Sequence, residues 1–281
     1  MSVTLIADSG ATKAEWCLLN NGEKEILFTR GISPYFLNTD QIADLVAEEL
    51  ATKIKDNTIE HIFYYGTGCA SSENARHVQA ALLKVFPQAK VAVDTDLMAA
   101  ARALCGNEKG IVTNFGTGSF CCFFDGGKIA KQSPGIGYIL GDEGSGAYLG
   151  RKVIQYYLYQ IFDEDLKERF ESSYKSDRTE ILDHVYKKPF PNRYMASYTL
   201  FLAENRGHYM IENIIEDGLN DFFFQHLCKY AEVWKYPVNF VGSVAYGFKD
   251  VIKELCSSYE FELGKVLKNP MEGLIEYHRE S

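Results

Sequence analysis

The sequence predicts an α/β protein that is built from two similar domains. Short apolar runs typical of strands alternate with helical patterns along most of the 281 residues. A series of strand, Gly/Thr turn, strand, Asn-Gly or Asp-Gly turn and strand begins at Val3 and occurs again from Ile111. Alternating strands and helices are typical of layered α/β folds, and a repeated unit indicates two like domains. We expect the functional site in the cleft between them.

The composition argues against several classes of function. Hydrophobic residues make up 46% of the chain and aromatic residues 14%, as in a globular protein. The net charge of −9 disfavours nucleic acid as a partner, because phosphate backbones attract clustered Lys and Arg. No apolar run reaches the roughly 20 residues of a membrane span, and the chain enters a strand at once without a signal-like segment. We therefore expect a cytoplasmic protein without a membrane partner.

The seven cysteines and six histidines follow no metal-binding pattern. Neither C-x-x-C nor H-E-x-x-H occurs, and Cys121 and Cys122 are adjacent in a predicted strand, where they face opposite sides. We expect reduced thiols that pack as small hydrophobic residues, and no zinc site.

The first repeat places an acidic residue and a small-residue turn after a strand. A strand over residues 3–7 leads into residues 8–13, DSGATK, and further strands are expected over residues 14–20 and 24–29. Asp8 alone is most simply a turn former. Beside this turn it is also typical of a carboxylate that holds hydrated Mg²⁺ while backbone N–H groups bind phosphate oxygens.

Helices and strands alternate in the rest of the first half. After a loop over residues 31–38, Thr39 or Asp40 can cap a helix that reaches Ile54, and a second helix begins near Glu73. Strands are predicted over residues 62–65 and 90–93.

The second of these strands leads to Asp94 and Asp96, which precede a helical run over residues 97–104. Either aspartate can be the N-cap of that helix, or a general base that accepts the proton of an attacking alcohol. The residues alone do not choose between them.

The second repeat contains two glycine-rich loops. A strand over residues 111–113 turns at residues 114–119, NFGTGS, and a second glycine-rich stretch over residues 134–146 opens a helix predicted over residues 144–162. Glycines after a strand let backbone N–H groups converge on an anion. Two such loops so close together favour a phosphate or sugar site over two ordinary tight turns.

The last part of the chain is predicted to be mainly helical. Residues 163–176 are rich in charge and are expected to be a solvated face or a surface loop, and helices are expected over residues 179–188 and 208–234. A strand over residues 238–241 runs into Gly242, which is either an ordinary turn before a helix or a place where a nucleotide approaches the backbone. A short helix is expected over residues 269–275.

These motifs resemble those of the N-acetylglucosamine kinase branch of the BadF/BadG/BcrA/BcrD ATPase family, in the actin, sugar kinase and Hsp70 superfamily. The most specific correspondence is FGTGS from Phe115, followed by GIGYILGDEGS from Gly135. The resemblance implies two ribonuclease H-like (actin-like ATPase) domains that face a central cleft. The first would cover residues 1–106 with a returning C-terminal helix at about 269–281, and the second would cover residues 107–268.

The resemblance also implies a role for each matching residue. Asp8 would hold Mg²⁺, and Asp96 rather than Asp94 would be the catalytic base. The residues implied in ATP binding are Gly10, Thr12, Lys13, Gly116, Thr117, Gly118, Ser119, Gly242 and Ser243. Those implied in sugar binding are Asn38, Asp96, Thr117, Gly135 and Asp142.

The implied activity is transfer of the γ-phosphoryl group of ATP to a hydroxyl of an amino sugar, N-acetylglucosamine or a related N-acetylhexosamine. The implied partners are ATP and this small-molecule sugar, and the resemblance allows a homodimer. An ATPase activator of the BadF type is an alternative, which the spacing of Cys121 and Cys122 disfavours because such activators bridge an iron–sulfur cluster. A sugar-binding regulator without turnover is another, because Ser9 and Ala11 stand where the family usually has glycine.

Overall fold

Two five-stranded sheets organise the residues that the structure, a computed structural model, describes: 3–10, 13–20, 22–54, 58–175 and 177–280. The chain divides into two units. Unit 1 comprises Met1–Gly106 with Pro270–Ser281, and unit 2 comprises Asn107–Asn269. Each unit contains its own hydrophobic core. The predicted alternation of strands and helices is confirmed.

The sheet of unit 1 brings the carboxyl ends of three parallel strands to one edge. Its strands are β1 (Thr4–Ser9), β2 (Lys13–Asn20), β3 (Glu23–Arg30), β4 (His61–Gly66) and β5 (Lys90–Thr95). Their order is β3-β2-β1-β4-β5, with β2 antiparallel to β1 and with β1, β4 and β5 parallel. Ser9 pairs with Gly66, which pairs with Thr95. Residues that follow β1 and β5 therefore lie at the same edge.

The described residues of unit 1 form four α-helices, one of which comes from the end of the chain. They are α1 (Thr39–Val46), α2 (Ser72–Val85), α3 (Asp96–Cys105) and α13 (Met271–Glu280). The last is numbered 13 because helices are numbered in chain order and the helices of unit 2 come before it. A π-helical turn over Ala47–Ala51 extends α1. A Cβ at Gly273 would lie 2.3 Å from the carbonyl oxygen of Ala103, so α13 packs directly on α3. Because Gly273 has no side chain, the backbones of α13 and α3 can approach each other this closely.

The caps of two helices differ from the predicted ones. The N-cap of α1 is Asn38, not Thr39 or Asp40: its Oδ1 accepts from the Gln41 N–H at 3.0 Å, and the Gln41 side chain accepts from the Asn38 N–H at 3.0 Å. This reciprocal pair is a capping box. The N-cap of α3 is Thr95, whose hydroxyl accepts from the Met98 N–H at 3.1 Å. Neither flanking aspartate is needed as a cap.

The sheet of unit 2 repeats the topology of the first. Its strands are β6 (Gly110–Phe115), β7 (Ser119–Phe124), β8 (Ile129–Gln132), β9 (Val238–Val241) and β10 (Leu263–Leu267). Their order is β10-β9-β6-β7-β8, with antiparallel β6, β7 and β8 and with β6, β9 and β10 parallel. This is the strand order of unit 1, which confirms the internal repeat.

Unit 2 carries more helices than unit 1 in the described part of the chain. They are α4 (Gly137–Leu140), α5 (Gly146–Leu158), α6 (Glu164–Ser173), α7 (Arg178–Tyr186), α8 (Pro191–Ser197), α9 (Thr199–Glu204), α10 (Tyr209–Gln225), α11 (Ser243–Gly247) and α12 (Lys249–Ser258). None of the helices among the described residues combines the length and apolar character that a membrane span requires.

Two predictions in unit 2 are wrong for identifiable reasons. Of the two alternatives for residues 163–176, the surface loop is wrong: the stretch contains α6, because Asp163 caps it and Leu166 and Phe170 bury one face while its charged residues form the solvated one. The helix expected over residues 208–234 ends at Gln225 and gives way to 3₁₀ turns at Leu227–Lys229 and Ala231–Trp234.

Other boundaries also shift. Strand β10 was not predicted, and the terminal helix expected over residues 269–275 runs from Met271 to Glu280.

Candidate functional site

Unit 1 holds two carboxyl groups at the edge where its parallel strands end. Asp8 is the penultimate residue of β1, and Asp96 follows β5 as the first residue of α3. Burial, together with the negative charges of Asp96 and Glu15, raises the pKa of Asp8 to about 7. Burial also raises the pKa of Asp96, although the Leu97 N–H donates to its Oδ1 at 2.9 Å. The two groups thus form a partly buried acidic pair.

Asp94 has a different environment from Asp96. Its Oδ1 accepts from the Thr95 N–H at 2.9 Å, and its Oδ2 lies 3.5 Å from Nη1 of Arg102. Among the described residues, Asp96 has no such cationic partner. Asp94 is therefore an anion neutralised by a neighbour, whereas Asp96 retains an unneutralised carboxylate beside Asp8.

The turn after β1 is closed by its own backbone. The Gly10 N–H donates to the carbonyl oxygen of Lys13 at 3.0 Å, so this N–H group is already used. The Lys13 ammonium lies 3.8 Å from the centroid of the Phe28 ring. Predicted site residue Thr12, like Ala11, lies outside the described residues.

The presence of a serine at position 9 has a structural explanation. Its side chain is fully buried, and its hydroxyl accepts from the Ile32 N–H at 3.1 Å. The hydroxyl fixes the segment just after β3 to the end of β1, so the residue that stands in place of a family glycine points into unit 1.

Asn38 lies at the exposed start of α1. Its Oδ1 is committed to the N-cap described above. The two aromatic residues just before it, Tyr35 and Phe36, are 69% and 82% exposed.

In unit 2 the loop between β6 and β7 rests on the start of α5. The carbonyl oxygens of Gly116 and Thr117 accept from the N–H groups of Gly146 at 2.8 Å and Ala147 at 3.0 Å. The Ser145 hydroxyl caps α5 by accepting from the Tyr148 N–H at 3.1 Å. Since these N–H groups of α5 are already bonded, donors for an anion must come from the loop itself.

Asp142 joins the two glycine-rich segments. It adopts a left-handed backbone with φ of 58°, and its carboxylate accepts from the Ser119 N–H. A Cβ at Gly118 would lie 3.0 Å from Oδ2 of Asp142. Burial raises the pKa of Asp142, and the neighbouring charge of Glu143 acts in the same direction.

Gly242 brings a third segment to the same place. Its φ is 120°, and a Cβ there would lie 2.2 Å from the carbonyl oxygen of Phe115 and 3.1 Å from the amide nitrogen of Gly116. The turn that opens α11 therefore touches the strand that leads into the β6–β7 loop. Ser243 is exposed at the first position of α11.

Two predicted residues of unit 2 are open to solvent. The side chain of Thr117 is exposed at the tip of the β6–β7 loop. Gly135 is exposed as well, and a Cβ there would have no heavy atom within 4 Å. The contacts within unit 2 thus bring together residues 116–119, Asp142 and Gly242, and leave Gly135 outside this cluster.

A buried hydrogen-bonded pair, Glu143 and His226, supports the Asp142 turn, and no sequence motif indicated it. Glu143, only 7% exposed, has its Oε2 2.9 Å from Nε2 of His226. His226 is the C-cap of α10, and its ring centroid lies 4.6 Å from that of Phe222. The two residues are 83 positions apart, so no local pattern connects them.

The acidic pair of unit 1 fits a magnesium ion. Within the described ranges, no three His, Cys, Asp or Glu side chains are grouped to hold a metal. Mg²⁺ usually takes only one or two carboxylates and completes its shell with water and phosphate oxygens. The raised pKa of Asp8 indicates a site that lacks positive charge, which a cation would supply.

Comparison with solved structures places the fold. A Porphyromonas gingivalis protein described as a putative N-acetylglucosamine kinase is 36% identical, with a TM-score of 0.93 over 99% of both chains. A Chromobacterium violaceum protein of the same description is 15% identical, with a TM-score of 0.71 over 99% of both chains. MreB 5 of Spiroplasma citri bound to AMPPNP is 10% identical, with a TM-score of 0.56 over 99% of this chain and 95% of its own. No family model and no curated protein matches the chain.

These similarities confirm the predicted fold class. Both units are ribonuclease H-like, and the fold is that of the actin-like ATPases.

Proposed function

The chain belongs to the N-acetylglucosamine kinase-like proteins of the actin, sugar kinase and Hsp70 superfamily, and from this membership we propose that it is an ATP- and Mg²⁺-dependent sugar kinase. Its acceptor is a hydroxyl of an amino sugar, N-acetylglucosamine or a related N-acetylhexosamine. The hydroxyl oxygen forms a bond to the γ-phosphorus, the bond from that phosphorus to the β–γ bridging oxygen breaks, and ADP leaves.

Asp96 is the general base of this reaction. It accepts the proton that the sugar hydroxyl loses as its oxygen attacks. The observation that supports this role is the contrast with Asp94, which is neutralised by Arg102, whereas Asp96 has no cationic partner among the described residues. The raised pKa of Asp96 makes its carboxylate a stronger base than an exposed aspartate.

Asp8 is the residue that holds Mg²⁺. The ion would supply positive charge to the phosphate oxygens of ATP. Its charge would also favour ionised Asp8, and so remove the unfavourable protonation that burial imposes on this group.

The phosphates and nucleoside of ATP are bound mainly by unit 2. Gly116, Thr117, Gly118 and Ser119 form the phosphate loop, in which Thr117 adds an exposed hydroxyl. The Gly116 N–H already donates to the Gly118 carbonyl oxygen at 3.1 Å and the Ser119 N–H to the Asp142 carboxylate, so the backbone donor we assign to phosphate is that of Gly118. Gly242 has no side chain, which allows the nucleotide to approach the backbone next to Ser243. In unit 1, Gly10, Thr12 and Lys13 contribute to the phosphates, with Gly10 limited by its bond to Lys13.

The sugar is bound by Asn38, Thr117, Gly135 and Asp142 together with Asp96. The carboxylate of Asp142 can accept from a sugar hydroxyl while it retains the Ser119 N–H, because each carboxylate has about four acceptor sites. Asn38 can use its amide N–H₂, since its Oδ1 caps α1.

The test is ADP release with Mg-ATP over a panel of amino sugars and plain hexoses. Asp96→Asn is the variant, and Asp94→Asn, two residues away, is the matched control. We expect amino-sugar-dependent ADP release that falls by at least about 10²-fold in Asp96→Asn and much less in Asp94→Asn.

Two results would count against this function. Sugar-independent hydrolysis that survives Asp96→Asn would favour the ATPase activator. Sugar-induced thermal stabilisation without any turnover would favour the sugar-binding regulator.

A further inference from the structure

Unit 2 contains a cavity of about 440 Å³ among α5, α7 and α8, and none of the proposed site residues lines it. Its apolar lining comprises Ile154, Leu158, Ile181, Leu182, Val185 and Met195. The cavity is held by close helix packing, since a Cβ at Gly150 of α5 would overlap the carbonyl oxygen of Met195 of α8, 1.8 Å away. Its volume lies in the range of small-molecule sites, roughly 300–1,000 Å³.

The charged side chains of this lining are both arginines. Arg151 comes from α5 and Arg178 from the first position of α7. Within the described part of the chain, no carboxylate forms an ion pair with either guanidinium. Tyr159 and Tyr186 also line the cavity and are 75% and 78% exposed, so two aromatic rings border its opening.

We propose that this cavity is a second ligand site, which binds a small organic anion with an apolar or aromatic body. The Ile, Leu, Val and Met side chains would receive the apolar body. The two guanidinium groups would bind its carboxylate, sulfate or phosphate, for which their planar array of N–H donors is suited.

Arg151 connects the cavity to the proposed sugar-binding segment. Its Nη1 donates to the carbonyl oxygens of Tyr138 at 3.2 Å and Ile139 at 3.4 Å, both in α4. This helix lies between Gly135 and Asp142 in the chain. An anion in the cavity competes for the same guanidinium, so its binding loosens residues 135–142. That this segment holds the sugar rests on the proposed function.

The binding test measures the affinity of the full chain for 1-naphthyl phosphate by calorimetry, without ATP or sugar. We expect binding by the wild type and a loss of affinity of about tenfold or more in Arg178→Ala, because one charge-assisted contact is removed. Arg178→Lys should recover part of the affinity. Lys253→Ala, an exposed change of equal charge on α12, should bind as the wild type does.

Two further probes and one cavity-filling variant separate the contributions of the anionic group and of the apolar body to binding. 1-Naphthol lacks the charge and inorganic phosphate lacks the apolar body, so each should bind far more weakly than the combined probe. Leu182→Trp should block binding by filling the cavity. Arg178 is exposed, and equal affinity of 1-naphthyl phosphate for the wild type and Arg178→Ala would overturn the site.

The link to α4 is tested by hydrogen exchange. Binding of 1-naphthyl phosphate should speed amide exchange in residues 135–142, and unchanged exchange in the bound protein would overturn the link. Neither experiment involves turnover. A protein that binds the probe but phosphorylates no sugar would refute the kinase alone, and a kinase that ignores the probe would refute this site alone.

Discussion

The carbonyl oxygen of Phe115 lies where a side chain at Gly242 would begin, 2.2 Å from the position of a Cβ. The turn after β9 and the end of β6 therefore meet backbone to backbone. The φ of 120° at Gly242 is also one that residues with a side chain rarely adopt. The absence of a side chain at this position thus fixes the geometry of the proposed nucleotide loops.

Gly242→Ala should destabilise the protein by on the order of 2–4 kcal/mol, because both the steric overlap and the backbone strain must be relieved. Urea unfolding followed by circular dichroism measures the loss. Gly247→Ala is the control: a Cβ there meets nothing within 4 Å, and its φ is not positive, so we expect a change within about 0.5 kcal/mol. Equal midpoints for the two variants would show that the turn tolerates a side chain.

Asp8→Asn should stabilise the magnesium-free protein at alkaline pH. The folded state binds a proton on Asp8 between the usual pKa of 3.8 and about 7, where the unfolded state has lost it. The free energy of unfolding of the wild type therefore falls as pH rises through this window. The neutral variant lacks that fall, and at pH 8 its advantage should be on the order of 4 kcal/mol, since each pKa unit corresponds to about 1.4 kcal/mol.

Denaturant unfolding at pH 4 and pH 8 measures this difference, which should nearly vanish at pH 4. Added Mg²⁺ should stabilise the wild type at pH 8 and leave Asp8→Asn unchanged, because a ligand stabilises only the state that binds it. A variant that responds to Mg²⁺ as the wild type does would remove Asp8 from the metal site.

His226→Ala should lower the free energy of unfolding by roughly 3 kcal/mol, because Glu143 would stay buried without its partner. Glu143→Gln should cost less, since an amide can still hydrogen-bond to the imidazole. A double-mutant cycle with Glu143→Gln, read by urea unfolding at pH 7, should give a coupling above about 0.5 kcal/mol. Simple additivity would mean that the pair does not hold the Asp142 turn to α10.

Asn38 has two roles that substitutions can separate. Asn38→Ala should cost about 1 kcal/mol of stability through the lost cap of α1, whereas Asn38→Ser retains a capping oxygen and should cost little. If the amide N–H₂ binds the sugar, both variants should raise the KM for the sugar several-fold with little effect on kcat. An unchanged KM in Asn38→Ser would restrict Asn38 to its structural role.

The architecture was predictable because it is encoded locally and encoded twice. The repeat that begins at Val3 and at Ile111 appears as two sheets of one topology. The helix predicted over residues 208–234 was too long for a clear reason. The buried residues Leu227, Tyr230 and Val233 are three positions apart, and this 3₁₀ period is difficult to distinguish from the α-helical one in a sequence.

The candidate site was predictable only in part. Strand-end residues such as Asp8 and Asp96 are marked by their local context, and parallel register brings them to one edge. The contact of Asp94 with Arg102 depends on how α3 lies against β5, and that of Glu143 with His226 on how residues 83 positions apart come together, which no local pattern records. These contacts distinguish the two aspartates and support the Asp142 turn.

Unit 1 is discontinuous, because α13 joins it only after the whole of unit 2 has intervened in the chain. Met271, Leu274 and Ile275 are buried, and α13 rests on α3, the helix that begins with Asp96. Of the three segments, residues 1–106, 107–269 and 270–281, the last is synthesised after the other two. Unit 2 can therefore fold while synthesis continues, whereas the helix that carries the proposed base waits for its last neighbour to emerge. During translation the loops of unit 2 can therefore form before the last helix fixes the proposed base in place.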